Sequence, residues 1–336
     1  MPYTLSIPAN DKRFSLSDNE PLLDAAMRNG VLVPYSCRGG SCGACEAILI
    51  SGEVAYPNDK LPPALSEESA NKGLVLMCQA RARSNLSLAV KERPAAAIPA
   101  RPYPARIAKM RRAADDVMIV HLQLPPNQRM EFVAGQYLDV LLPNCKRRSF
   151  SMANSPDSEG LIELHIRQVA GGLFTEPLFT TTKEKSVLRL EAPYGTFCFD
   201  YESANTPVFV AGGTGLAPIQ SIVDSLINAD FDRPIHIFWG VRSNRDIYAS
   251  ETLERWSTTS GITLNTVLSE PSSDWSGDSG WVTDQAARLL ETSPESFDVY
   301  MAGPPPMVEA GRNTFTDLGL DSSRIRCDSF DYAADA

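Results

Sequence analysis

The sequence predicts a multidomain protein: a small α+β unit, then an antiparallel β-barrel, then an α/β unit built on a parallel sheet. Three observations predict it. Residues 1–91 mix short strands with one helix and end at a proline- and alanine-rich run; residues 104–202 carry short alternating apolar segments at barrel-like spacing; residues 203–336 alternate strands with helix-length segments. A length of 336 residues fits two or three domains. With 43% hydrophobic and 21% charged residues, the chain has the composition of an ordinary globular protein.

Composition also excludes several function classes. The sequence has no apolar run of ~18 residues, so no membrane span is expected. MPYTLSIPANDKRF lacks a basic segment followed by an apolar one, which argues against a secretory signal and for a cytoplasmic address. There, cysteines serve more often as metal ligands or reactive groups than as disulfides. The net charge is -10, and most of the acid excess falls after residue 203. A nucleic-acid binder would show a basic face instead, so no nucleic-acid partner is expected and the acidic surface reads as a solvated one.

In chain order, YTLSI and RFSLS read as strands joined by a turn at PANDK, and EPLLDAAMRN reads as a helix stopped by Gly30. Apolar stretches follow at EAILISG, GLVLMCQ and NLSLAV, the first two separated by the polar, proline-rich PNDKLPPALSEESANKG. RPAAAIPARPYPA has no apolar periodicity and reads as a semi-rigid linker, placed at 92–103. Barrel strands are expected at VMIVHLQL, QYLDVLLP, RRSFSMA, IELHIRQV and SVLRLEA, with GGLFTEPLFT as a helix-sized insert. PVFVAG, IHIFWG, ITLNTVLS and FDVYMAG are the strands of the final sheet.

The densest chemical signal is CRGGSCGAC, which carries Cys37, Cys42 and Cys45; with Cys78 it makes C-x4-C-x2-C-x32-C. That is the plant-type spacing for a [2Fe–2S] cluster. A loop wrapped around such a cluster needs backbone freedom, which Gly39, Gly40 and Gly43 supply. Zinc fits the spacing poorly, since zinc sites usually pair two close doublets or add histidines, and no histidine precedes His121. Cys145, Cys198 and Cys327 have no such pattern and read as simple thiols.

With this motif in place, the first 91 residues resemble a plant-type, β-grasp-like ferredoxin domain, and the remainder resembles the ferredoxin–NADP reductase superfamily. Together they resemble the fused reductase components of bacterial multicomponent oxygenases. The resemblance implies an FAD-binding barrel at 104–202 and an NAD-binding domain at 203–336. Arg148, Phe150 and Ser151 in RSFS resemble the flavin motif R-x-Y-S/T, which assigns Arg148 to the flavin pyrophosphate, Phe150 to packing near the ring and Ser151 to the flavin N5. Phe150 replaces the usual tyrosine. His165 and Arg167, on the strand IELHIRQV, join the cofactor set, as do Gly172 and Thr175, where the family starts a phosphate-binding helix. PYGTF resembles the segment that closes the family's barrel.

Gly213, Thr214 and Gly215 in GGTGLAP resemble the family's dinucleotide turn, in which glycines let the backbone approach a pyrophosphate at a helix start. Arg242, in a segment that includes Asp246 and Tyr248, follows the second strand of this sheet. Glu270 stands where NADP-specific relatives carry arginine; an acid would repel a 2′-phosphate and accept from ribose hydroxyls, which favours NADH. Gly303, Pro304 and Met307 belong to AGPPPM, in which Ala302 replaces the family's cysteine beside the nicotinamide. Phe330 in DSF resembles the terminal aromatic near the flavin, with Tyr332 as a competitor. The catalytic assignments are therefore Ser151, Ala302 and Phe330.

The implied activity is an NADH-dependent reductase that passes electrons from NADH through FAD and the [2Fe–2S] cluster to a terminal oxygenase. Two other readings are an iron–sulfur flavoprotein reductase serving a deoxysugar dehydratase, and a ferredoxin-type carrier whose last two-thirds only dock or regulate. The latter predicts no NADH oxidation.

Overall fold

A computed structural model describes residues 3–90, 98–143, 146–158 and 160–330. Cys145 and Tyr332, and the linker segment 92–97, lie outside the described residues. The chain divides into two compact units, 1–97 and 98–336.

In the first unit, strands β1 (Thr4–Ile7) and β2 (Lys12–Ser15) pair antiparallel across a one-turn helix at Pro8–Asn10. Helix α1 (Leu22–Arg28) buries Leu22, Leu23, Ala25 and Ala26, and Gly30 follows it at φ +67°, as its position as helix stop requires. Strands β3 (Glu46–Ser51), β4 (Val54–Ala55), helix α2 (Glu67–Asn71), β5 (Leu74–Leu76), β6 (Arg81–Ala82) and β7 (Leu86–Ala89) complete the unit. The sheet runs β2-β1-β7-β3-β5, with β1 and β7 parallel. Helix α2 lies in the polar stretch where only a connection was expected. Its start is set by Ser66, whose hydroxyl accepts from the Ser69 N–H at 3.1 Å.

The second unit opens with β8 (Arg101–Ala114), which corrects the linker reading: residues 101–103 belong to a strand paired with β13 (Val187–Tyr194). The prolines that argued for a linker are tolerated because β9 (Val117–Gln123) pairs with the other edge of β8 only from Arg106 onward, so the missing N–H groups of Pro102 and Pro104 disrupt no ladder there. With β10 (Tyr137–Leu141), β11 (Arg147–Ser151) and β12 (Ile162–Arg167), these strands form an antiparallel sheet in the order β11-β10-β13-β8-β9-β12. Its two edges meet where Met152 bridges Leu164 and the Ala153 N–H donates to Glu163 O at 2.8 Å, closing the barrel. Helix α3 (Thr175–Thr180) follows β12. Leu138, Val140, Met152, Leu164, Ile166 and Leu190 are among the residues that fill its interior.

The last segment forms a six-stranded parallel sheet, β17-β16-β15-β14-β18-β19, from β14 (Thr206–Gly212), β15 (Ile235–Val241), β16 (Ile262–Leu268), β17 (Asp278–Ser279), β18 (Phe297–Gly303) and β19 (Ile325–Ser329). Helices α4 (Leu216–Asn228), α5 (Ser250–Ser257), α6 (Val282–Leu290) and α7 (Pro305–Asp317) connect them. The strand order reverses direction between β14 and β18. Carboxyl ends of strands at such a switch point are where doubly wound sheets bind ligands. Val117 and Ile119 of the barrel share one core with Phe209, Ile219 and Trp239.

Candidate functional site

In the first unit, the cysteine loop connects α1 to β3. Cys42, Cys45 and Cys78 are buried and Cys37 is half-buried. The thiols form two close pairs, Cys37 with Cys42 and Cys45 with Cys78. A two-iron cluster asks for two ligands on each iron, so paired thiols suit it. Backbone amides point at sulfur: Ala44 N–H at Cys42 Sγ (3.5 Å) and Cys78 N–H at Cys45 Sγ (3.4 Å). The hydrogen bond from Cys42 brings the Cys37 thiol down to about 6, towards the thiolate that a metal needs, while the same bond and burial push Cys42 up. Cys78 is pushed up by its bond to Cys45 and by burial.

Gly40 and Gly43 have the expected positive φ, +84° and +74°. A β-carbon on Gly40 would lie 2.6 Å from Pro62 Cβ. The third left-handed residue is Arg38 rather than Gly39. Its backbone is held by Gln79, whose amide donates to Arg38 O at 2.7 Å, and its guanidinium pairs with Asp24 at 2.8 Å. The residues present fit a [2Fe–2S] cluster.

In the second unit, three predicted catalytic positions converge at the carboxyl ends of β18 and β19. Ser151 Oγ donates to the buried Asp328 carboxylate at 3.2 Å, across 177 residues of sequence. Ala302 and Asp328 are register partners, and the Phe330 N–H donates to Gly303 O at 3.0 Å. Ala302 is fully buried. Arg148 is half-buried on β11, and Phe150 packs its ring 5.3 Å from Phe174. The Thr175 hydroxyl is buried and bonded to the backbone of Val169, with Gly172 closely apposed: a β-carbon there would lie 2.4 Å from Thr175 Oγ1.

The glycine turn, including Thr214, opens α4 and packs against AGPPPM. A β-carbon on Gly215 would lie 2.1 Å from Ala302 O, and one on Gly212 would lie 2.5 Å from Met307 Sδ and 3.1 Å from Pro304 Cδ. Two strand ends and a helix start thus pack together at the switch point, where doubly wound sheets bind dinucleotides. Arg242 and Glu270 are exposed at the neighbouring strand ends, joined by a Glu270 N–H bond to Arg242 O at 2.8 Å. Asp246 is occupied in a capping box, accepting from Ser243 N–H and Oγ–H at 2.8 Å each.

Both ring nitrogens of His165 have protein partners, Tyr248 OH at 3.0 Å and Glu163 Oε1 at 2.8 Å. Its side chain therefore turns to the protein. Glu163 also receives His121 Nε2 at 3.2 Å and Gln220 Nε2 at 3.1 Å. Sequence reasoning missed Glu163 and Gln220. In ELHIR the polar residues alternate with apolar ones, and that pattern reads equally as a strand with one face in water.

Residues 7–83 match the family of 2Fe-2S iron-sulfur cluster binding domains, 104–199 the oxidoreductase FAD-binding domain and 209–313 the oxidoreductase NAD-binding domain. A CDP-6-deoxy-L-threo-D-glycero-4-hexulose-3-dehydrase reductase from Yersinia pseudotuberculosis is 38% identical over 321 residues, covering 94% of this chain and 95% of the relative. The chain belongs to the fused iron–sulfur flavoprotein reductases. The reductase is also 34% identical to the xylene/toluene monooxygenase electron transfer component XylA of Pseudomonas putida, covering 97% of this chain and 93% of that one. Among solved structures, the Amycolatopsis cytochrome P450 reductase GcoB is similar over 99% of this chain and 100% of its own, with a TM-score of 0.77 and 30% identity. The reductase is thus an oxidoreductase of the [2Fe–2S], FAD and NAD type. Among the described residues, no helix is long and apolar enough to cross a membrane.

Proposed function

We propose that the reductase takes electrons from NADH and delivers them through its ferredoxin unit to a separate terminal oxygenase. The observation that carries this reading is a single chain holding paired cluster thiols and a switch point at which Ser151 bonds Asp328 while the glycine turn packs on Ala302, the register partner of Asp328. When bound, the flavin supplies the exchange between a two-electron nicotinamide and a one-electron cluster.

The chain's own groups supply binding and positioning. Arg148 offers a fork of donors for the flavin pyrophosphate. Gly213, Thr214 and Gly215 form a single 3-10 turn that runs straight into α4, with the Leu216 N–H already donating to Gly213 O, so it is the amides at the start of that turn that favour an anion. Ser151 gives its one hydroxyl proton to Asp328, which fixes the serine oxygen as an acceptor beside that carboxylate. Glu270 accepts from ribose hydroxyls and repels a 2′-phosphate, which selects NADH.

A second reading rests on the 38% identity to the Yersinia dehydrase reductase, which exceeds the 34% to the xylene/toluene component: the acceptor is then a dehydrase of a nucleotide-linked deoxysugar. Anaerobic addition of NADH and NADPH to the purified protein, followed in the visible spectrum, tests the shared part. Flavin and cluster bands bleached far faster by NADH support it, and bleaching by NADPH alone overturns the nucleotide assignment. Reconstitution with an oxygenase component or with a sugar dehydrase then separates the two acceptors.

A further inference from the structure

Strand β12 carries Glu163, His165 and Arg167 on one face, while Leu164 and Ile166 face the barrel core. Each of the three polar residues reaches the α/β segment: a helix, the loop before α5, or the glycine turn. Glu163 accepts from Gln220 of α4 at 3.1 Å, and Thr252 of α5 donates to that same Gln220 at 3.2 Å. His165 meets Tyr248 at 3.0 Å, and the Tyr248 ring lies edge-on to Trp239 with centroids 5.4 Å apart. The Trp239 indole N–H donates to Gly213 O at 2.9 Å. Arg167 lies against the same glycine: a β-carbon on Gly213, whose φ is +54°, would be 3.1 Å from Arg167 Nη1.

The proton positions in this chain follow from its members. Burial opposes the Glu163 charge, but bonds from His121 and His165 hold its carboxyl well below the ordinary range, so it is ionised and only accepts. His165 Nε2 therefore carries a hydrogen. Burial raises the Tyr248 phenol, which stays protonated, and with the imidazole neutral it donates to His165 Nδ1. Donation runs one way from Tyr248 through His165 to Glu163, and each buried group depends on its neighbour.

We propose that Glu163, His165 and Tyr248 are positioning residues that hold the Gly213 turn in register with the flavin barrel, and so set the rate of hydride transfer. The inference rests on the function proposed above. The turn is contacted from β12 on one side by Arg167 and through Tyr248 and Trp239 on the other. The pyrophosphate moves with the turn that binds it, so loosening the turn shifts the nicotinamide as well, and small displacements remote from the reacting atoms are costly to rate.

The test is anaerobic stopped-flow bleaching of the flavin by NADH in the full-length holoprotein, with Tyr248→Phe, Glu163→Gln and the double variant. Tyr248→Phe keeps the ring packing and removes only the hydroxyl. The expected result is an about tenfold lower limiting rate, with the half-saturating NADH concentration changed less than about threefold. The double variant should fall no further than Glu163→Gln alone, as for residues acting through one chain. Delivery to ferricyanide from dithionite-reduced protein should be unchanged. A lowered melting temperature with an unchanged limiting rate in Tyr248→Phe would mean a purely structural role and overturn the inference. Additive losses would overturn the single chain. A wild type that NADH bleaches, with variants indistinguishable from it, sinks this inference alone; a wild type that NADH does not bleach sinks the proposed function and this inference with it.

Discussion

In the cysteine loop, the inward-turned groups are backbone amides and thiols from residues 37–78, shaped by left-handed residues Arg38, Gly40 and Gly43. Along β12, they are side chains: a carboxylate, imidazoles, a phenol and an amide drawn from residues 121–248. The first assembly depends on what the backbone can do, so its sensitive positions are those where a β-carbon or an absent thiol changes the loop. The second depends on hydrogen bonds between neighbours buried together, so single-atom changes that leave the volume intact should matter most.

The largest break is Cys42→Ala. Removing one of four ligands should abolish the iron–sulfur absorbance and lower iron content to near zero, while NADH still bleaches the flavin; spectra and iron analysis of anaerobically prepared protein check this. Gly40→Ala comes next. Its φ of +84° and the 2.6 Å approach to Pro62 combine strain with overpacking, for about 2–4 kcal/mol in denaturant unfolding. Gly171→Ala sharpens the point, because φ is +70° there with nothing within 4 Å, so strain alone should cost ~1 kcal/mol.

The seam should respond to acid instead. The folded-state value of Glu163 lies below its ordinary 4.5, so its ionised form contributes stability that is fully present above about pH 4.5 and is lost as pH falls towards the folded value. Melting temperatures from pH 7 down to pH 3 should fall more steeply for wild type than for Glu163→Gln, which begins lower; parallel curves would remove the carboxylate from the account. The smallest effect is expected at the exposed Glu270, on which neither assembly depends. Glu270→Arg should raise kcat/KM for NADPH by about three- to tenfold at low salt with little change in melting temperature.

The cluster ligands were legible because C-x4-C-x2-C-x32-C is a local pattern whose meaning survives without knowing what packs on it. GGTGLAP and AGPPPM were legible for a similar reason: strand, glycine turn and helix start are consecutive in the chain. The linker was overextended at 101–103, where proline content outweighed the pairing of β8 with β13. Glu163 was invisible, since a polar residue alternating with apolar neighbours predicts a strand face and not what covers it.

The amino-acid sequence by itself determined the order of the three folds, the four thiols and the glycine turns, because these follow from short-range spacing and from backbone conformations that few residues adopt. Only the tertiary structure decided which buried groups meet: Ser151 with Asp328, His165 with Tyr248, Arg167 with Gly213. Those partners are far apart along the chain, and a hydrogen bond's direction and strength depend on how the strands that carry them are stacked and how much water is excluded between them.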